Sequence, residues 1–162
     1  MPNIEQRISI DAPTDRVWSA LGDFGGIDRW SPVINHSASV DGAERGVGAE
    51  RACELKGLFP NVVERTTEWD EGRGYSFEIE RAPMLREALS SWSIEATGDS
   101  TTVTARLEYR TSMGPIGALI GATIMKRMMT ANLRESLAGL KHHVETGDLI
   151  ADRVPAKQAS GS

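Results

Sequence analysis

Apolar and polar residues alternate at the start of the chain: Ile4, Gln6, Ile8 and Ile10 share one face, Glu5, Arg7, Ser9 and Asp11 the other. A period of two predicts a half-buried strand. Asp11-Ala12-Pro13-Thr14 breaks it, and Pro13 or Thr14 opens a helix with Val17, Trp18 and Leu21 on one face. That helix ends near Gly22. Gly25-Gly26 then turns the chain into a short helical segment, Ile27 to Trp30, which Pro32 stops.

From Val33 to Met113 the pattern predicts six further strands, over 33–41, 47–56, 61–70, 74–81, 87–97 and 101–113. Asp41-Gly42, Lys56-Gly57, Asp70 to Gly74, Ala82-Pro83 and Gly98-Asp99 supply the turns between them. Links this short give antiparallel hairpins, because a parallel crossover needs a dozen or so residues. Gly114-Pro115 opens a last helix that runs to Thr146, with Gly147 as its stop. Its apolar stripe is Ile116, Leu119, Ile120, Ile124, Met128, Leu133, Leu137, Leu140 and Val144, with Lys126, Arg127, Arg134 and Glu135 mostly off it. So long a stripe has to be buried, and the strand meander is the surface available. The expected fold class is therefore α+β, a seven-stranded curved antiparallel sheet around one long helix. Residues 1–148 form the expected domain and 149–162 a flexible tail.

Charge and composition narrow the function classes. The net charge is −5, and Lys and Arg are scattered along the sequence, which argues against nucleic acid as a partner. The single cysteine, Cys53, has no partner for an internal disulfide, so the reducing cytosol is the expected compartment. The N-terminal segment lacks a basic region followed by an apolar run. The most apolar stretch, Ile116 to Met125, is about half the length of a membrane span. No membrane span is expected, and the sequence sets no oligomeric state.

The segments "IDAPTDRVWSALGDFGGIDRWSP", "VGAERACEL" and "VVERTTEWDEGRGYSFEIE", with the apolar terminal helix, carry a family resemblance. Over roughly residues 3–146 the chain resembles the START/Bet v 1-like (SRPBCC) helix-grip superfamily, in its bacterial polyketide cyclase/dehydrase and lipid-transport branch. The resemblance implies a sheet gripping the long helix, with a cavity between them. Members bind lipids, sterols, polyketides or plant hormones there; some are enzymes, and one branch assists a chaperone.

Strand alternation then nominates the cavity lining. Ala49, Arg51, Cys53 and Leu55 share one face of their strand; Tyr75, Phe77 and Ile79 share another. Trp92, Ile94 and Ala96 form a third set, and Val103, Ala105, Leu107 and Tyr109 a fourth. Arg51 stands out as a cation among apolar neighbours, and Glu64 lies across one hairpin from it on the face of Val62. Val63 and Trp69 compete for the same inner face. A buried arginine needs a carboxylate or an anionic ligand group. The pair therefore reads either as a ligand-orienting or proton-moving device, or as a structural cross-strand pair.

Trp30 and Trp92 are aromatic wall candidates, although core packing accounts for them as well. From the helix, Ile120, Ile124 and Met128 are expected to face the cavity. Met113, Met125, Met128 and Met129, beside Gly114, Gly117 and Gly121, read as gap-filling core or as a flexible lid. His36 is the one histidine placed to reach the cavity, while adjacent His142 and His143 suit a helix C-terminus. Cys53 reads as a small buried hydrophobe. No metal-ligand spacing or nucleotide loop stands out, and no cofactor is expected.

Three functions remain open. The first is a carrier for a small hydrophobic molecule. The second is a cyclase, aromatase or dehydratase using Arg51 and Glu64, with His36 or Tyr109 in support. The third is a chaperone-assisting interaction module. Arg51→Ala is expected to weaken binding in a carrier, to end catalysis in an enzyme and to be nearly silent in an interaction module.

Overall fold

The computed structural model describes residues 2–40, 44–57, 61–82, 85–112 and 114–149, and the backbone alone for residues 116–118 and 120. The opening strand β1 (Asn3–Ile10) buries Ile4 and Ile10, as its alternation requires. Helix α1 (Thr14–Leu21) follows and turns Val17, Trp18 and Leu21 into the core. A 3₁₀ helix over Phe24–Arg29 begins three residues earlier than the sequence predicts. Phe24 and Ile27 are both buried there, and the helix kinks at Gly26, so the glycine pair lies inside the element instead of preceding it.

Six strands complete the sheet: β2 (Ile34–Val40), β3 (Glu50–Leu55), β4 (Asn61–Asp70), β5 (Gly74–Glu80), β6 (Leu85–Thr97) and β7 (Ser100–Thr111). Their order is β1-β7-β6-β5-β4-β3-β2, antiparallel throughout. Strands β2 to β7 form the expected meander. The first strand closes beside the last, from Asn3 opposite Glu108 to Ile10 opposite Thr101. The β6–β7 turn holds two residues, and Gly98 at φ 63° takes the left-handed conformation that such a turn needs.

A bulge between Thr66 and Glu68 settles the competition on β4. Before it, Val62, Glu64 and Thr66 are buried; after it the parity flips, and Trp69 comes opposite Tyr75 on the same face. One extra residue therefore places both sets inside. Ala96, expected inward, is exposed, because β6 there extends toward the hairpin beyond the core.

Helix α2 (Pro115–Thr146) ends as expected at Gly147, in the left-handed region, with its N–H bonded to the His143 carbonyl at 2.8 Å. Its second half is buried through Leu133, Leu137, Leu140 and Val144. It packs chiefly on β1, with α1 and β7 also in contact. Lys141 donates to the Ser9 carbonyl and Glu145 accepts from the Asp11 N–H, both at 2.8 Å, tying this end to the exit of β1. Gly139 permits a close approach, since a Cβ there would sit 2.0 Å from the Trp30 carbonyl oxygen.

The first half of α2 departs from the expected stripe. Leu119 is 83% exposed and Ile124 is 67% exposed, while Met125 is buried. The buried row runs through Met125, Met129 and Leu133, one position round from the predicted row through Ile124 and Met128. Apolar residues occupy both rows, so periodicity alone does not choose between them. Met113, the expected tail from residue 150 onward and the side chain of Ile120 lie outside the described residues.

Candidate functional site

Between the sheet and α2 lies a cavity of about 120 Å³. Its walls are mainly apolar: Ile34 from β2, Val62 from β4, Phe77 from β5, Trp92 from β6, Leu107 from β7 and Leu133 from α2 all contribute. Arg51 and Glu64 are the ionisable groups among the described lining residues. Alternation along each strand puts these side chains on one face, and the sheet's curvature turns that face toward α2.

Arg51 on β3 and Glu64 on β4 stand directly opposite in the register. The Arg51 Nε donates to Glu64 Oε2 at 2.5 Å, and Arg51 Nη1 donates to the Phe24 carbonyl at 2.8 Å. The guanidinium lies 3.9 Å from the Phe24 ring centroid and 4.9 Å from that of Phe77. The cation is thereby hydrogen-bonded along one edge and packed against two aromatic rings. Arg51 is 1% exposed. Burial, the largest single influence, would lower its pKa, but the Glu64 carboxylate with Cys53 and Tyr75 beside it together outweigh burial and hold it above the ordinary value. Arg51 is a fixed cation packed against two adjoining rings, whose centroids are 5.7 Å apart.

Behind the pair sit two weak acids. Burial first, and the nearby Glu64 charge second, push the Cys53 thiol up to about 12. Burial likewise raises the Tyr75 phenol to about 12, and its hydroxyl donates to the Leu21 carbonyl at 3.2 Å. Cys53 donates to Glu64 Oε2 at 3.9 Å. Both acids are neutral at ordinary pH, so Cys53 is no thiolate nucleophile.

Of the sequence-nominated site residues, Arg51, Glu64, Phe77 and Trp92 line the cavity. Cys53, Tyr75 and Tyr109 are buried but stand outside its lining. Trp30 also packs behind the wall, edge-on to Trp92 with ring centroids 5.6 Å apart. Its indole N–H is enclosed and has no hydrogen-bond partner among the described residues. Ile124 points to solvent, and Met129 takes the lining position expected of Met128, for the row shift given above. His36 is also off the cavity: its largely exposed ring lies 3.5 Å from Asp28 Oδ2.

Several contributors escaped the sequence. Ser31 and Ser136 share a buried hydrogen bond of 2.8 Å on the cavity wall, and Asn132 lies beside them. Ser136 carried a weak signal, a small polar residue one turn after Leu133 on the buried face of α2. Phe24 carried none, because its role depends on a carbonyl and a ring meeting Arg51 across 27 residues of sequence.

A family model described as polyketide cyclase/dehydrase and lipid transport matches residues 1–145. The chain belongs to that family. Solved structures share its fold. A Thermus thermophilus protein superposes with a TM-score of 0.76 at 21% identity, covering 90% of this chain and 99% of that one. The Zhui aromatase/cyclase from Streptomyces sp. R1128 gives 0.72 at 17% identity, covering 89% and 93%. The di-domain aromatase/cyclase BexL gives 0.72 at 25% identity, covering 90% of this chain and 47% of that one, so the chain spans about half its length. A search of curated protein sequences finds no match. Family and neighbours together give the chain a hydrophobic-ligand-binding fold of the polyketide cyclase/dehydrase type.

Proposed function

We propose that this protein carries a small hydrophobic molecule in the cavity between the sheet and α2, with the Glu64 carboxylate orienting the ligand's one polar group. The observation that carries this reading is the asymmetry of the ion pair. Arg51 is 1% exposed, bonded at two nitrogens and covered by two rings, whereas Glu64 is 7% exposed on the cavity wall. A ligand meets the carboxylate of the pair. It accepts a hydroxyl or N–H donor, and the apolar walls take the rest. A buried ion pair adds little to stability over well-packed apolar residues. A charge kept in this wall is therefore better explained by a ligand than by folding.

Size sets the ligand class. A cavity of about 120 Å³ is close to the roughly 150 Å³ that holds a single benzene ring. Larger ligands require α2 or the 3₁₀ helix to move outward.

A cyclase reading keeps one supporting observation, an ionisable pair inside an apolar cavity of a fold shared with aromatase/cyclases. Its proton-moving partners are missing from the lining, since His36 is solvent-facing and Tyr109 lies outside it. Arg51 also has its Nε and Nη1 already committed to Glu64 and the Phe24 carbonyl.

Native mass spectrometry of the purified protein, followed by organic extraction, tests the proposal. A co-purified or reloaded single-ring apolar compound with one donor group, bound less tightly by Glu64→Gln, supports it. An empty protein that takes up no such compound overturns it. Conversion of the bound compound, abolished by Glu64→Gln, replaces the carrier with the enzyme.

A further inference from the structure

We propose that the outer face of α2 docks on an anionic lipid bilayer, with Leu119 and Ile124 entering the apolar boundary and Lys126, Arg127 and Arg134 on the phosphates. From residue 112 to 134 the sequence has no acidic residue and three cations, in a chain of net charge −5. None of the three pairs with a carboxylate among the described residues, whereas Arg7, Arg29, Arg45, Arg65 and Arg106 all do.

At 3.6 residues per turn, Leu119, Lys126, Arg127 and Arg134 fall on one face of α2, with Ile124 at its flank. The small side chains of Ala122, Thr123 and Ala131 leave a groove beside the three cations. The Thr130 hydroxyl donates back to the Lys126 carbonyl at 2.7 Å, so it does not compete for that groove. Cations beside projecting aliphatic side chains on one helix surface are the pattern of an interfacial helix. No helix of the described residues is long and apolar enough to cross a membrane, so this one lies on the surface.

Two features favour lipid over an acidic protein. Leu119 and Ile124 project singly, and a fluid bilayer accepts protruding side chains without a matching shape. The adjoining face of α2 lines the cavity through Met129, Leu133 and Ser136. Docking therefore lays the cavity's helical wall along the phase into which an apolar ligand partitions. The docking surface goes beyond the cavity reading and does not depend on it.

Flotation of the full chain with vesicles tests the proposal, using phosphatidylglycerol mixed with phosphatidylcholine against phosphatidylcholine alone. The expected result is binding to the anionic vesicles only, weakening as salt rises. The triple variant K126A/R127A/R134A should lose about fivefold per cation, on the order of a hundredfold together. Leu119→Ser should weaken binding with no change in the thermal midpoint. Equal binding to neutral vesicles, an unaffected triple variant, or no vesicle binding at all overturns the proposal; the last holds even where this face captures an acidic protein. Uptake of an apolar fluorescent probe in vesicle-free buffer should be the same in the triple variant. Failure at the membrane is thus distinguishable from failure of the cavity.

Discussion

The two ends of this molecule solve the same burial problem differently. At one end, β1, α1 and the second half of α2 close on a dense core, with Ile10, Val17, Leu21 and Leu140 wholly enclosed. At the other, strands β2 to β6 and the middle of α2 stand apart around a cavity, and the interior there holds a cation, a carboxylate and three serines, Ser31, Ser90 and Ser136. The dense end is fastened by hydrogen bonds between side chains of α2 and the exit of β1, and by the close approach at Gly139. The cavity end is fastened by the Arg51 clamp. Stability resides in the first and room for a ligand in the second, and α2 takes part in both.

Substitutions that confuse the two ends test this division. Arg51→Ala should cost about 3–5 kcal/mol, because it leaves Glu64 buried without its partner. The denaturant midpoint measures that loss, and Arg51→Met combined with Glu64→Leu should recover most of it. The sequence expects Arg51→Ala to weaken binding in a carrier, and the expected loss of stability would be superimposed on that effect. Glu64→Gln keeps a hydrogen-bond acceptor beside Arg51 while removing the charge, so its ligand binding is read together with its own unfolding midpoint.

At the dense end, Leu140→Ala should cost about 3 kcal/mol through the cavity it leaves, whereas Ile124→Ala should stay within about 0.5 kcal/mol. Comparable losses from both would show that the first half of α2 is packed after all. Gly139→Ala forces a methyl toward the Trp30 carbonyl and should cost about 1–3 kcal/mol. Its thermal midpoint should fall while the Arg51–Glu64 pair stays intact.

The smallest effect is a pH dependence of the cavity end. Burial raises Cys53 from 9.0 and Tyr75 from 10.0, each to about 12. Above pH 9 the unfolded chain ionises these groups while the folded chain holds them neutral. Their contribution to stability is therefore present below that pH and lost as pH rises from about 9 toward 12. Alkaline titration of the unfolding midpoint checks this. Native Cys53 should also resist alkylation at pH 8, and rapid labelling there would show an open cavity end.

Much of this was legible in the sequence, for identifiable reasons. Period-two alternation and glycine turns place the seven strands and their hairpins, because both signals are local to the backbone. The pairing of Arg51 with Glu64 follows from one short hairpin, across which register propagates reliably. Trp69 needed the bulge to join the inner face, and no local signal marks that one extra residue.

Sequence by itself determined the elements, the helix-grip order and the presence of a charged pair on an inner strand face. Tertiary structure alone decided which apolar row of α2 turns inward, that Phe24 closes over Arg51, and that Leu119 and Ile124 remain outside. The physical reason is common to all three. Hydrophobicity makes a residue suited to burial, but whether it is buried depends on the partner surface that chain closure brings against it. Among the described side chains of α2, the buried row begins at Met125.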